Sequence, residues 1–313
     1  MNVLIVGTGI IGTIYGWALK RSGAQVTHLV RTGAGTRGFD IDVLDERKGY
    51  PKNALYHYEA HCVVQDGLTD EYDVVLLPVR TAQVSAALAQ LAPVLGSAVF
   101  VTMSANFLGT EQWESIVPHE RLIVGYPDGG GTWRGRLCWC NIGAEIHLQQ
   151  PDAAQQHAAA LVQELFCPAD IHPDWQGNMT HWLWVHNATS TPIWLAMLRY
   201  GQLKPFLRDK ALFYRSILAC KEVLGLCWRR GVDTALCREE NSWLTMPRAV
   251  SYGIFKLLYT CNKSMQRYSA HAMEGASEAF DCLNDIMQSA DEHNFPVPEL
   301  RQIGQEAAAA RGL

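Results

Sequence analysis

The sequence predicts an α/β chain in two parts: a doubly wound, mostly parallel sheet, then a domain built of helices alone. Three observations predict this. An apolar run at residues 3–6 leads through GTGIIG at residues 7–12 into a helix whose apolar positions Ile11, Tyr15 and Leu19 recur every four residues. Strand and helix patterns then alternate as far as residue 103. From Trp175 onward only helical periodicity remains.

The elements follow in order. The first strand, residues 3–6, and its helix, ending near Ser22, are followed by a strand at 26–30. Residues 32–69, rich in Gly and Asp, predict a hairpin or irregular strands rather than another complete βα unit. DVVLLPV at 73–79 is a strand, 82–91 a helix and AVFVTM at 98–103 a strand. RLIVGYP, from Arg121, and RLCWCNIGAEIHL, from Arg136, predict antiparallel strands that finish the sheet. Pro151 and Asp152 start an Ala-rich helix that ends near Cys167 and Pro168. CPADIHPDW, at 167–175, carries two prolines and marks the domain boundary, giving a dinucleotide-binding domain over 1–170 and a helical substrate and dimerisation domain over 171–313. Helices are predicted at 175–200, 205–230, 246–260 and 267–293, with Pro296 and Pro298 separating the last of these from a final one.

The glycine string, in its strand–turn–helix setting, has the Rossmann-type phosphate-binding pattern. Gly7 permits the tight turn, Gly9 admits a pyrophosphate close to the backbone, and Gly12 lets the helix pack on the sheet. The backbone of Thr8, Ile10 and Ile11 completes the turn, and the helix N-terminus offers unpaired N–H groups to phosphate. Where NAD-binding versions carry an acidic residue, this chain has Arg31, which suits the 2′-phosphate of NADP(H).

Composition bounds the remaining possibilities. With 313 residues, 48% of them hydrophobic, the chain can bury a large core, and a net charge of −5 without like-charge blocks argues against nucleic acid as a partner. The apolar stretch at 3–19 lacks a basic segment before it, so a cytoplasmic location is expected, with no membrane partner. Nine cysteines without a CxxC pair suit reduced thiols. Cys138 and Cys140 alternate along a strand and share a face; core packing accounts for them better than metal binding, and no metal site is predicted.

A nicotinamide at the C-terminal edge of the sheet should meet a small-molecule substrate against the helical domain, which directs attention to polar groups after the strands and on the first long helix. Arg80 follows a strand and either reaches the cofactor or is solvated at the surface. Asn106 follows the strand ending at Met103; it either holds cofactor and substrate oxygens or forms a turn. Asn187, Ser190 and Thr191 share a helical face with Thr180 and Leu183, and His186 borders it. In the late helix His271, Glu274, Glu278, Asp281 and Asp285 recur every three or four residues as an acidic stripe, mostly solvated, of which one carboxylate can face the cleft.

Taken together, these motifs resemble the ketopantoate reductase (2-dehydropantoate 2-reductase) family over almost the whole chain. The resemblance rests on Gly7, Gly9, Gly12 and Arg31; on Arg80 and Gln83 in a K-x-x-Q-like segment; and on Asn106 at the asparagine of QNGxGNE. It continues with Asn187 and Pro192 in a KLxxNxxxNP-like segment, Glu278 at the acid of TExDxLN, and HNFPVPEL at 293–300. It implies NADPH-dependent reduction of a 2-oxo acid, a homodimer, and Asn106, Asn187 and Glu278 as catalytic groups. The departures are specific. Leu183 stands where the family has its catalytic lysine, Thr191 replaces the second asparagine, Phe107 replaces a glycine, and two extra residues precede Glu278. Leucine cannot protonate a carbonyl oxygen, so the proton must come from Glu278, His186 or a water on Asn187 and Thr191, or else the substrate is already protonated, as an iminium is. Leu183, Asn187 and Thr191 are accordingly the expected substrate-contacting positions. Two function classes stand: a reductase of a small carbonyl or imine compound, and an NADP(H)-binding sensor or interaction protein without turnover.

Overall fold

In the computed structural model, residues 1–233 and 238–312 are described, with the side chains of 238–240 and 271–274 excepted. Cys237 and the side chains of His271 and Glu274 therefore lie outside the described residues. The chain packs as two units: Met1–Ser104 with Thr110–Met179, and Ala105–Gly109 with Thr180–Leu313.

The first unit begins with β1 (Asn2–Val6), α1 (Ile10–Arg21) and β2 (Gln25–Leu29). Then come β3 (Gly35–Asp45), β4 (Ala54–Val63), β5 (Val74–Leu77), α2 (Thr81–Leu91), β6 (Val99–Met103) and the single turn α3 (Glu111–Glu114). The unit ends with β7 (Leu122–Arg134), β8 (Leu137–Gln149), α4 (Gln156–Phe166) and β9 (His172–Gln176). Strand β1 pairs in parallel with both β2 and β5, and β5 with β6. Val3, Leu4, Ile5 and all four residues of β5 are fully buried, as strands covered on both faces must be, which is why they read as unbroken apolar runs.

The sheet departs from an open doubly wound sheet in one respect. Its order is β3-β4-β2-β1-β5-β6-β7-β8-β9, and Asp40–Asp45 of β3 also pair in parallel with Leu137–Ile142 of β8. The β3–β4 hairpin and the long β7–β8 hairpin thus meet, and along that stretch the sheet closes on itself. Beyond that contact β8 is joined by β9 in parallel, Glu145 to His172 through Gln149 to Gln176. Strand β9 therefore belongs to the sheet, past the 170/171 division drawn from sequence. Its proline, Pro173, is tolerated because the strand lies at an edge. Cys138 and Cys140 are fully buried in the sheet core together with Ile142.

The second unit holds α5 (Met179–Leu198) from Thr180 onward, α6 (Leu203–Phe206), α7 (Lys210–Arg229), α8 (Arg238–Thr245), α9 (Arg248–Cys261), α10 (Lys263–Glu274), α11 (Ala276–Glu292) and α12 (Pro298–Arg311). Helix α7 starts where the Asp209 carboxylate accepts from Leu212 N–H at 2.9 Å. The single helix expected over 267–293 is two, α10 and α11, interrupted at Gly275, whose backbone (φ −83°, ψ 34°) leaves the helical region. No helix among the described residues is long and apolar enough to cross a membrane.

Candidate functional site

The glycine turn is built as its spacing requires. Gly7 has φ +93°, a conformation open to glycine, and its N–H donates to Leu29 O at 2.8 Å. Gly9 is the residue before α1, and a Cβ there would meet nothing within 4 Å, so a ligand can approach this backbone. Gly12 is the opposite case: a Cβ would lie 2.9 Å from Gly7 O and 3.3 Å from Ile5 Cγ2, so its bareness serves the packing of α1 on β1. Thr8 carbonyl accepts from the Thr13 hydroxyl at 3.3 Å, which steadies the turn between Gly7 and Ile10. The first turn of α1 carries no acidic residue and no side-chain cap, so helix geometry leaves the N–H groups of Ile10 and Ile11 for an anion.

Arg31 is exposed just after β2. Beside it the sequence reading missed Arg37. The β3–β4 hairpin returns Arg37 over the Thr32–Gly33 turn, where its guanidinium donates to the carbonyls of Thr32 and, at 2.9 Å, Gly33. Only the pairing of β3, invisible to local pattern, brings this second arginine to the end of β2. Arg80 precedes α2, half-buried, with its carbonyl accepting from Gln83 N–H at 2.8 Å.

Asn106 belongs to the second unit. Its amide is spent on its own loop: Nδ2 donates to Gly109 O at 2.6 Å, while Oδ1 accepts from Leu108 N at 3.0 Å and Gly109 N at 3.1 Å. It staples a turn, the plainer of the two sequence readings. Phe107, buried where the family resemblance expects glycine, lies 4.9 Å below the Arg230 guanidinium. Arg230 also covers the Trp184 ring at 3.3 Å and donates to Phe107 O at 2.7 Å. Phe107 thus anchors this loop to α5 and to the end of α7.

On α5, Leu183, Asn187 and Thr191 form one buried stripe. Asn187 Nδ2 donates back to Leu183 O at 2.8 Å, and the Thr191 hydroxyl donates to Asn187 Oδ1 at 3.5 Å. Buried polar groups need partners, and these find them within the helix. His186 stacks on Trp182, 5.0 Å between ring centres, while its carbonyl accepts from Ser190 at 2.6 Å. Burial lowers the pKa of His181, and nearby Arg230 adds to the effect.

Helix α11 lies against this stripe at Cys282, which is buried within hydrogen-bonding reach of Thr191. Glu278, Asp281 and Asp285 share that side of the helix, at a spacing of three and four residues. Glu278 is half-buried in the first turn. Asp285, assigned from sequence to a mostly solvated stripe, is half-buried as well, and its carboxyl is raised from 3.8 to about 6, first by burial and then by the charge of Asp281. Its surroundings favour a retained proton.

The first unit is thus an α/β sheet carrying the glycine turn, and the second a helical unit carrying the polar stripe. Residues 3–150, which contain the glycine turn and strands β1 to β8, match the family model described as Ketopantoate reductase PanE/ApbA. No curated protein matches the sequence. Among solved structures, a D-mandelate dehydrogenase with NADH and anilino(oxo)acetate superposes with a TM-score of 0.75 at 12% identity, covering 100% of this chain and 99% of its own. A dimeric ketopantoate reductase from Staphylococcus aureus gives 0.71 at 14% identity, with 100% and 99% covered. A 2-dehydropantoate 2-reductase from Geobacter metallireducens GS-15 gives 0.72 at 17% identity, with 99% and 100% covered. At these identities the likeness is one of fold.

Proposed function

We propose that this protein is an NADPH-dependent reductase of a small carbonyl compound, 2-oxo acid-like, or of an imine. The observation that carries the reading is the open approach at Gly9 beside a helix N-terminus free of acidic side chains, with Arg31 at the end of β2. These residues fit a dinucleotide: the α1 N-terminus would hold the pyrophosphate, and Arg31, with Arg37 beside it, the 2′-phosphate. When bound, the nicotinamide supplies the hydride. Arg31→Ala is expected to weaken NADPH binding about tenfold or more, the loss of one charge-assisted contact, and to leave NADH binding unchanged, as read by fluorescence titration.

With Leu183 at the family's lysine position, proton supply falls to a carboxyl of α11. Asp285 is supported best, since a group titrating at about 6 still carries its proton in mildly acid solution. Turnover should then decline as pH rises through about 6, and Asp285→Asn should remove that dependence. The same raised pKa has a consequence for stability. Ionised Asp285 weakens the fold, so its favourable contribution is full below about pH 4 and is lost as pH rises through about 6. Calorimetry should find that Asp285→Asn leaves Tm unchanged near pH 4 and raises it near pH 8.

Stopped-flow oxidation of NADPH with a panel of 2-oxo acids, ketopantoate included, and cyclic imines tests the reading. Turnover of any member supports it, whereas NADPH binding without turnover supports the second reading, a cofactor-binding protein, which the buried Leu183 favours. We further propose a homodimer through α9, where Val250, Ile254, Leu257 and Leu258 form an exposed apolar stripe, Leu257 at 63% exposure. Leu257→Glu should shift sedimentation to the monomer if the stripe is the interface.

A further inference from the structure

The cofactor turn is held from behind by a side chain to which no role has been assigned. His28, in the middle of β2, is fully buried, and its Nδ1 lies 2.8 Å from the carbonyl oxygen of Gly7. Its Nε2 lies 2.7 Å from the hydroxyl of Tyr58, itself buried on β4. A carbonyl only accepts, so Nδ1 carries the proton; in the neutral ring Nε2 then accepts, and the Tyr58 hydroxyl donates to it. The order of donors along Tyr58, His28 and Gly7 is therefore set by chemistry.

Neutrality agrees with the surroundings. Burial pushes the imidazole down to about 4, against the smaller upward effect of the Gly7 carbonyl, and Lys20 of α1 adds to the depression. Tyr58 and Cys62 of β4 also face this corner, and burial raises both above their ordinary values, so both stay neutral. The pair runs directly beneath α1. A Cβ at Gly16 would sit 2.6 Å from both His28 Nε2 and Tyr58 Oη, so glycine in mid-helix is what makes room for it. The glycine pattern of the cofactor motif does not account for Gly16; the His28–Tyr58 pair does.

We infer that His28 is a positioning residue for the cofactor phosphates, orienting the Gly7–Thr8 peptide through the Gly7 carbonyl. The peptide is planar and trans, so a carbonyl held on His28 aims the Thr8 N–H in the opposite direction. With Gly7 N–H tied to Leu29 O, both polar groups of Gly7 are fixed by consecutive residues of β2. The turn is thus set before a ligand arrives, which lowers the ordering cost of binding. This inference rests on the NADP(H) reading above.

The test compares NADPH, which has the pyrophosphate, with 2′-AMP, which lacks it. His28→Leu should lose about tenfold or more in NADPH affinity, the equivalent of one well-made hydrogen bond, with 2′-AMP affinity held within about twofold. His28→Asn places an amide donor near the position of Nδ1 and should recover most of the loss. Gly16→Ala, which improves helix propensity but displaces the pair, should weaken NADPH binding in the same selective way. Equal losses for both ligands, or NADPH binding by folded His28→Leu within about twofold of the parent, would overturn the inference. Nitrogen-15 NMR of the imidazole in the unaltered protein decides the matter if His28→Leu does not fold: the neutral Nδ1–H tautomer is expected, and an Nε2–H tautomer overturns it. Failure of the unaltered protein to bind NADPH would instead remove the functional reading itself, whatever the tautomer.

Discussion

Asp45→Ala is expected to destabilise the protein by about 3–5 kcal/mol, the cost of leaving a buried cation without its partner. Asp45 and Arg47 are each 1% exposed and form a bidentate pair, Nε to Oδ1 at 2.9 Å and Nη2 to Oδ2 at 2.7 Å. Nη1 also donates to Ala169 O at 2.7 Å, and the guanidinium packs 4.1 Å from the Tyr50 ring and 5.3 Å from that of Trp17. The pair sits where β3 meets β8, next to the hydrogen bond from Glu46 N–H to Ile142 O at 3.0 Å. Breaking it strands a desolvated guanidinium at the closure of the sheet. The double change Asp45→Leu with Arg47→Met should recover most of the loss, since an apolar pair of similar volume needs no desolvation. Chemical denaturation of the three variants checks both statements; a loss under about 1 kcal/mol for Asp45→Ala would mean that water reaches the site.

The second large effect separates binding from stability. Gly9→Asp should lower NADPH affinity at least about 100-fold while leaving Tm nearly unchanged. The backbone of Gly9 (φ −65°, ψ 178°) is open to any residue, a side chain there clashes with nothing, and aspartate is a good residue to precede a helix. It nevertheless places a negative charge where the pyrophosphate would bind. Gly12→Ala reverses the pattern: its Cβ is forced against Gly7 O and Ile5, so the fold should lose about 1–3 kcal/mol by overpacking. A Tm fall for Gly9→Asp as large as that for Gly12→Ala would show that the two glycines do not differ as described.

What could be read from sequence, and what could not, follows from the range of the interactions concerned. Strand β1, the glycine turn and α1 are legible because adjacent residues specify them, and β5 because a strand buried on both faces must be apolar throughout. The closure of β3 on β8 joins residues nearly 100 positions apart, and no local period reports it. Strand β9 was hidden by Pro173, which reads as a breaker unless the strand is known to lie at an edge. At the site, Asn106 looked like a ligand-holding amide because of what precedes it, yet its hydrogen bonds close its own turn. Asp285 looked solvated because an acidic stripe on a helix usually is; only the packing of α11 reveals its burial. Arg37 and His28 carry no motif, and strand pairing alone brings them to the cofactor turn.

If the glycine turn and Arg31 bind NADPH, the unaltered protein takes up the cofactor and Gly9→Asp does not. Calorimetric titration of the unaltered protein and Gly9→Asp with NADPH and NADH tests it most directly. Saturable binding by the unaltered protein is expected, tighter for NADPH than for NADH by about tenfold or more, and lost in Gly9→Asp. No binding by the unaltered protein, equal or tighter binding of NADH, or undiminished binding by Gly9→Asp would contradict it.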